Sequence, residues 1–451
     1  LAVGVWRGSR HVRAQRGAYP DWQPRPQDTP KAVAAGVAAG MIVGHLPRWA
    51  VAGSLAAGGA IAGHRGGSQT LWGAAVGLGA VGVLAAVGYA GAQWELGKLR
   101  EVGNRADPAL REPPDNPYVS GGPASQVDYG TLARDGRRFV SLRTPAEEIA
   151  TLGEPAMEPI RVYIGLHTAD TVDQRVDLAI AELERLGGFD RSTLLIMCPA
   201  GSGYADYVAA DAIECMTRGD VASVVVQYGV LPSMLSLPRV ALGARTQRLL
   251  LDRITERATG RVLMYGESLG ARVAQEALRL EPSRVDDQGR VSGVDTVVNV
   301  GTPGGPSLRN DLLHCPNVVH LDRWQQLTGF EHGQLWFVDH DADPVTRWDG
   351  ELAYREPYWL RHPRGRNVPG DMAWMPVITW WQVIFDLAYA AQQQSGQFHS
   401  IGHDYRADLT AILAAVLGDG AQADRIQKLL EVREVARDEV VTETLPDVSS
   451  S

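Results

Sequence analysis

Leu263-Met264-Tyr265-Gly266-Glu267-Ser268-Leu269-Gly270, followed directly by ARVAQEALRL through Leu280, is the stretch whose reading decides the fold. An apolar run enters a Gly-x-Ser-x-Gly pentapeptide and leaves it with helical apolar spacing, which predicts a strand, a tight turn and a helix. On such a turn the serine backbone is strained and its hydroxyl stands clear of the sheet. Gly266 and Gly270 remove side chains that would strike neighbouring backbone. Gly266, Glu267 and Gly270 therefore form an elbow that presents Ser268 as a nucleophile. A glycine-rich turn around a buried structural serine is the bland alternative, and the flanking strand and helix patterns weigh against it.

Outward from the elbow, short β-branched runs alternate with longer amphipathic stretches. The runs are RVYIGL from Arg161, STLLIMCP, ASVVVQYG, RVLMYG, DTVVNVG and QLWFVD, and the stretches include 172–186, 205–217 and 240–258. Strands separated by helices of that length predict an α/β fold, a mostly parallel sheet with helices on both faces. The Pro- and Gly-rich stretch 103–135 reads as a linker, 136–431 as the domain carrying Ser268, and the acidic 432–451 as a disordered tail.

A nucleophilic serine needs a base and a group that orients the base. In chains with this strand-turn-helix serine, the acid follows first and the histidine last. After QLWFVD comes His340-Asp341-Ala342-Asp343-Pro344-Val345, where Asp343 is the candidate acid and Asp341 its competitor. His403, in Ser400-Ile401-Gly402-His403-Asp404-Tyr405 ahead of ADLTAILAAVL, is the candidate base; His399 competes, while His332 and His340 precede the acid. An oxyanion hole needs two backbone N–H donors, one from the residue after the nucleophile. Leu269 is expected to supply it, and the loop after the third strand, read as Pro199-Ala200-Gly201-Ser202-Gly203, the other through Gly201 or Ser202. That loop lacks the GKS or GKT ending of a phosphate-binding P-loop.

The chain has 451 residues, with 43 basic and 52 acidic side chains and a net charge of −9, a balance that argues against a dedicated nucleic-acid binder. Cys198, Cys215 and Cys315 are odd in number and widely spaced, so neither a disulfide framework nor a zinc site is expected, and no metal or cofactor is implied. A mean hydropathy of −0.13 hides a sharply apolar first quarter. Leu71 to Ala92 holds 22 residues without a charge, and at about 1.5 Å per residue spans the roughly 30 Å of a bilayer core. Ala32–Leu46 and Trp49–Gly63 are shorter apolar runs, so 1–102 reads as a membrane domain of about three helices. Arg7, Arg10, Arg13, Arg16, Arg25 and Lys31 against only Asp21 and Asp28 place the leading stretch in the cytoplasm, and three crossings place the rest outside.

Several blocks together resemble a bacterial, largely actinobacterial, family of membrane-anchored α/β-hydrolases with a transmembrane N-terminal domain. They are EPIRVYIGLHTADT, CPAGSGYADY, QYGVLPS, YGESLG, HDADPVTRW, PYWLRHPRGRNVP, WMPVITWWQVIFDL and GHDY, spread from about Gly136 to Leu417. The resemblance implies Ser268 as nucleophile, Asp343 of DPV as acid and His403 of GHDY as base. The chain departs from the family pattern at Ile401, where a second histidine is usual, and at Ala200 and Ser202, where threonine is usual; neither change removes a backbone donor.

Between acid and base, about 348–397, lie Trp359, Trp374, Trp380 and Trp381, and Met375, Ile378, Trp381, Phe385 and Ala388 repeat at helical spacing. This predicts a cap over the site, with a face toward lipid as one reading and ordinary packing on the sheet as the other. Arg361, Arg364 and Arg366 read as solvated surface or as a site for an anionic head group. The expectation is a membrane-anchored serine hydrolase acting on an ester, lipidic in kind. Acyl transfer by the same chemistry and a non-catalytic membrane scaffold are the alternatives.

Overall fold

Each apolar run read as a strand becomes one in the computed structural model, which describes residues 106–442 apart from 233–235, 328–332, 362, 391–392 and 419. The strands are β1 (Ile160–Ile164), β2 (Thr193–Cys198), β3 (Val221–Val226), β4 (Arg261–Glu267), β5 (Thr296–Val300), β6 (Val318–Leu321) and β7 (Leu335–Val338). They form one parallel sheet in the order β1-β3-β2-β4-β5-β7-β6. β1, β2, β3 and β5 are buried along their whole length, as strands covered by helices on both faces must be. β6 has no counterpart among the expected strands; it is an edge strand with three of its four residues only partly buried or exposed, so its apolar signal is weak.

Eight described helices have eight residues or more: α1 (Arg134–Ser141), α2 (Val172–Leu186), α3 (Tyr207–Met216), α4 (Val240–Thr255), α5 (Leu269–Arg279), α6 (Ile378–Ala390), α7 (Arg406–Leu417) and α8 (Ala423–Thr442). α2, α4 and α5 pack together on the sheet, and α3, α7 and α8 pack with one another. α2 begins with a capping box between Thr171 and Gln174 and ends on Gly187 in the left-handed conformation, which is why its bounds are sharp.

The connection from β2 turns toward β3 on one side, and that from β4 turns toward β5 on the other. The crevice between the carboxyl ends of β2 and β4 is therefore the switch point of the sheet, where open α/β sheets bind ligands. Register brings Cys198 beside Gly266, and Glu267 beside Val300.

Two boundaries differ from expectation. The stretch read as a linker is packed onto the domain: Val119 bridges to Arg161 at the edge of β1, and Val119 and Ser120 are fully buried. The stretch from Val432, expected to be disordered, is the second half of α8 as far as Thr442. What orders it is ionic. Glu434 and Arg437 are buried, Glu434 against Arg406 and Arg437 against Asp211, and a polar face buried this way leaves no apolar periodicity to read.

In the segment expected to cap the site, Val383, Ile384 and Phe385 are buried in succession, so α6 is enclosed on more than one side, while Met375 lies before it and is exposed. Ala388 falls among side chains outside the description. The apolar runs Ala32–Leu46, Trp49–Gly63 and Leu71–Ala92 also lie outside the described residues, among which no helix is long and apolar enough to cross a membrane.

Candidate active site

Ser268 stands at the junction of β4 and α5 with φ 55° and ψ −123°, a conformation that costs a non-glycine residue about 1–3 kcal/mol. Neighbouring backbone holds it there: the Ser268 N–H donates to the Val300 carbonyl at 2.8 Å. The glycines of the elbow are there because no side chain fits. A Cβ on Gly266 would lie 2.6 Å from the Gly270 carbonyl, and one on Gly270 would lie 2.1 Å from the Cys198 oxygen. That second approach seats the first turn of α5 directly on the end of β2.

Asp343 and His403 are brought together across 60 positions of sequence, with His403 Nδ1 to Asp343 Oδ2 at 2.7 Å. Asp343 is fully buried and caps the short helix Pro344–Arg347, its Oδ1 accepting from the Val345 N–H at 2.8 Å. Burial pushes the His403 imidazole toward its neutral form, and the Asp343 carboxylate outweighs it, so the net shift is upward. The imidazole also lies beside β5: a Cβ on Gly301, the residue after Val300, would fall 2.6 Å from His403 Cε1. Ser268 and His403 thus flank the same turn at the end of β5.

Asp341 and His340 are occupied elsewhere. Asp341 accepts from Arg347 at 3.1 Å and from the Arg366 N–H at 2.9 Å, and so ties the segment after the acid to the sheet. His340 is turned away, with Nε2 3.0 Å from Asp408 and Nδ1 2.9 Å from the Gly402 carbonyl. Of the three clustered arginines, Arg366 is engaged with Asp322 and Ser400, Arg364 reaches the Pro369 carbonyl, and Arg361 is exposed.

The loop expected to complete an oxyanion hole follows the second strand in chain order, which is third across the sheet, immediately beside β4. Ala200 N–H is consumed by the Tyr204 carbonyl at 2.7 Å, whereas the N–H groups of Gly201 and Ser202 bond to no other described residue. On α5, Leu269 is the first residue, where helix N–H groups have no intrahelical acceptor. Gln227, fully buried after β3, donates to the Ser202 and Gly229 carbonyls at 2.8 Å each, and Tyr163 donates to the Gly203 carbonyl at 2.8 Å. With the Ser202 and Gly203 carbonyls and the Ala200 and Gly203 N–H groups engaged, the Gly201 and Ser202 N–H groups are the loop donors without a partner among the described residues. Ser202 Oγ donates to Asp135 of α1 at 2.6 Å, so its side chain braces the loop.

Sequence reasoning missed Tyr405, whose hydroxyl donates to Asp343 Oδ2 at 2.7 Å and accepts from the His340 N–H at 3.0 Å. Its ring stacks on His340 at 3.9 Å and meets His403 edge-on at 5.6 Å. Gln227 and Asp135 were missed for the same reason: nothing in a linear sequence marks a bond to a residue this far away.

The family model described as the alpha/beta-hydrolase family matches residues 160–429, more than half of the chain, and so covers every strand of the sheet. The chain belongs to this α/β-hydrolase family. A second model, for the N-terminus of the same family, matches residues 1–143 and so includes α1, which braces the Ser202 loop. No curated protein and no solved structure matches the chain. In this α/β-hydrolase, Ser268 stands at the carboxyl end of β4, His403 with Asp343 lies beside the turn that follows β5, and the Gly201–Ser202 loop follows the neighbouring β2. A hydroxyl, an imidazole oriented by a buried carboxylate and free amide donors are together able to carry out acyl transfer.

Proposed function

We propose that the protein is a membrane-anchored serine hydrolase that cleaves a carboxylic ester through an acyl-enzyme. The observation that carries this reading is the 2.7 Å contact between His403 and Asp343 beside a serine held at positive φ on a strand-to-helix turn. Ser268 Oγ attacks the ester carbonyl while His403 Nε2 takes its proton. The developing oxyanion is held by the N–H of Leu269 and by that of Gly201 or Ser202. Collapse expels the alcohol, which receives the proton from His403, and water attacks the acyl-enzyme by the same steps in reverse. Asp343 keeps Nδ1 protonated and stabilises the imidazolium without itself accepting the proton.

A lipidic ester is the favoured substrate. Its support is the uncharged run Leu71–Ala92, together with Tyr354, Tyr358, Met375 and Val377, which stand exposed on the segment between acid and base. The excess of arginine before Ala32 favours a catalytic domain on the extracytoplasmic side.

Labelling with a fluorophosphonate, which reacts only with an activated serine, tests the chemistry. Wild-type protein is expected to label and Ser268→Ala to remain unlabelled. Equal labelling of the two would overturn the assignment.

A further inference from the structure

His340 precedes the acid in the chain and is no candidate for the base, yet each of its polar groups is engaged around the acid and the turn that carries His403. It is buried, two residues beyond the end of β7. Its carbonyl accepts from the Asp343 N–H at 3.1 Å, and its own N–H donates to the Tyr405 hydroxyl at 3.0 Å. In the ring, Nδ1 lies 2.9 Å from the Gly402 carbonyl and Nε2 lies 3.0 Å from Asp408 Oδ2 on α7. A carbonyl oxygen only accepts, so Nδ1 carries a hydrogen and donates it to Gly402. Asp408 is held in its turn, with Oδ1 accepting from the Trp324 N–H at 3.0 Å. An apolar side chain would fill the same space and make none of the ring's bonds.

Gly402 immediately precedes His403 in a four-residue turn from Ile401 to Asp404, closed by the Asp404 N–H donating to the Ile401 carbonyl at 3.0 Å. Gly402 has φ 56°, whereas His403 is not among the residues at positive φ. Positive φ at the first central residue alone is the type II′ pattern. Turning over the peptide between Gly402 and His403 would convert it to type I′, with positive φ at both central residues, and would re-aim the imidazole. Sterics oppose that flip only in part, because histidine is among the side chains that enter the left-handed region more readily. The bond from His340 Nδ1 to the Gly402 carbonyl holds the peptide directly.

We propose that His340 is a positioning residue for the base: by holding the Gly402 carbonyl it fixes the peptide that carries His403, and so keeps the imidazole aligned on Asp343 and aimed at Ser268. The Nδ1 end, on the turn, carries this role, while the Nε2 end, on Asp408, anchors the ring to α7. The proposal rests on Ser268 being the nucleophile and His403 its base, and it adds to them a residue outside the triad.

The test is the rate of fluorophosphonate labelling of the full chain, followed from acid to neutral pH, for wild type, His340→Ala, His340→Asn, His340→Gln and Ser268→Ala. An asparagine amide nitrogen takes the place of Nδ1 and a glutamine one that of Nε2, so His340→Asn keeps the bond to Gly402 and His340→Gln the bond to Asp408. The charged groups facing His403 are Asp343, Asp339 and Asp404, and all of the His340 variants retain them. Burial lowers the proton affinity of His403 and contact with Asp343 raises it by more, so a base turned off Asp343 loses the rise. His340→Ala and His340→Gln are therefore expected to label about tenfold or more slowly, the scale of a misplaced reacting group, with the acid limb moved to lower pH. His340→Asn should recover most of the rate and return the limb. Recovery by His340→Gln equal to that by His340→Asn, or a limb unmoved in His340→Ala and His340→Gln, overturns the proposal. So do rates that follow the thermal midpoints of the variants rather than the bond to Gly402. Should the His340 variants fail to fold by circular dichroism, Asp408→Asn decides: it removes the charge at Nε2 and leaves Nδ1 on Gly402, so rate and limb are expected close to wild type, and a shifted limb overturns the assignment of the role to Nδ1. Wild type that labels no more than Ser268→Ala would overturn the nucleophile assignment itself, an outcome distinct from the others.

Discussion

At Asp343 a single carboxylate oxygen serves two donors, His403 Nδ1 and the Tyr405 hydroxyl, each at 2.7 Å. The imidazole must be neutral to act as a base. Because its proton affinity is raised in the folded protein, the acid limb of kcat/KM for an activated ester is expected to have its midpoint above the ordinary histidine value of about 6.5. The same sign governs stability: the His403–Asp343 contribution is complete below the unfolded histidine pKa and is lost as pH rises through the folded one. Asp343→Asn removes the charge and the correct tautomer, so kcat should fall by about 10⁴-fold and the limb should move to lower pH. Tyr405→Phe leaves the carboxylate less well satisfied and more basic, so the limb should move to higher pH. An unmoved limb in Tyr405→Phe would mean that the hydroxyl does not act on the acid.

Elements meet here through contacts that admit no extra atom and through charges that admit no missing partner. α5 can start where it does only because Gly270 has no side chain above the Cys198 carbonyl. Gly270→Ala should therefore shift the elbow, destabilise the fold by about 1–3 kcal/mol as overpacking does, and slow labelling of Ser268; urea denaturation and labelling rate read the two effects. β1 is tied to α3 by Arg161, which lies fully buried between Asp211 at 2.5 Å and Glu214 at 2.6 Å. Arg161→Leu leaves Glu214 buried without its cation and Asp211 with Arg437 alone, a loss expected to cost about 3–5 kcal/mol in urea unfolding. An added Glu214→Gln substitution should recover much of it, because what destabilises is the unpaired charge rather than the missing bridge.

Across the whole molecule, the C-terminal helix closes a fold whose chemistry lies far from it in sequence. α8 contributes Glu434 to Arg406, which stands beside Asp404 and so next to the His403 turn, and Arg437 to Asp211 beneath β1. Cutting the chain after Glu431 removes both partners, leaving Arg406 with Asp404 alone and Asp211 with Arg161 alone. A lower thermal midpoint and slower labelling of Ser268 are expected together, measured by calorimetry and by fluorophosphonate. Truncated protein with an unchanged midpoint would show that these buried pairs contribute nothing to closure.

How much of this was legible without coordinates follows from which interactions are local. Ser268 and its glycines could be read because the strand, turn and helix that strain the serine are contiguous, so their patterns lie side by side in the sequence. Six of the seven strands were legible because burial on both faces leaves an unbroken apolar run, and the edge strand β6, partly exposed, was not. Asp343 was preferred over Asp341 by position alone; the pairings of Asp343 with His403 and of Asp341 with Arg347 and Arg366 exist only in three dimensions. The same holds for Tyr405, Gln227 and the packed second half of α8, all polar groups satisfied by partners distant in the chain. By itself, then, the sequence determined the α/β order of elements and the elbow, because local sterics and apolar periodicity are written residue by residue. The tertiary structure alone decided which carboxylate meets which imidazole and what holds the Gly201–Ser202 loop, because a buried polar group is fixed by whichever distant partner folding brings within hydrogen-bond reach.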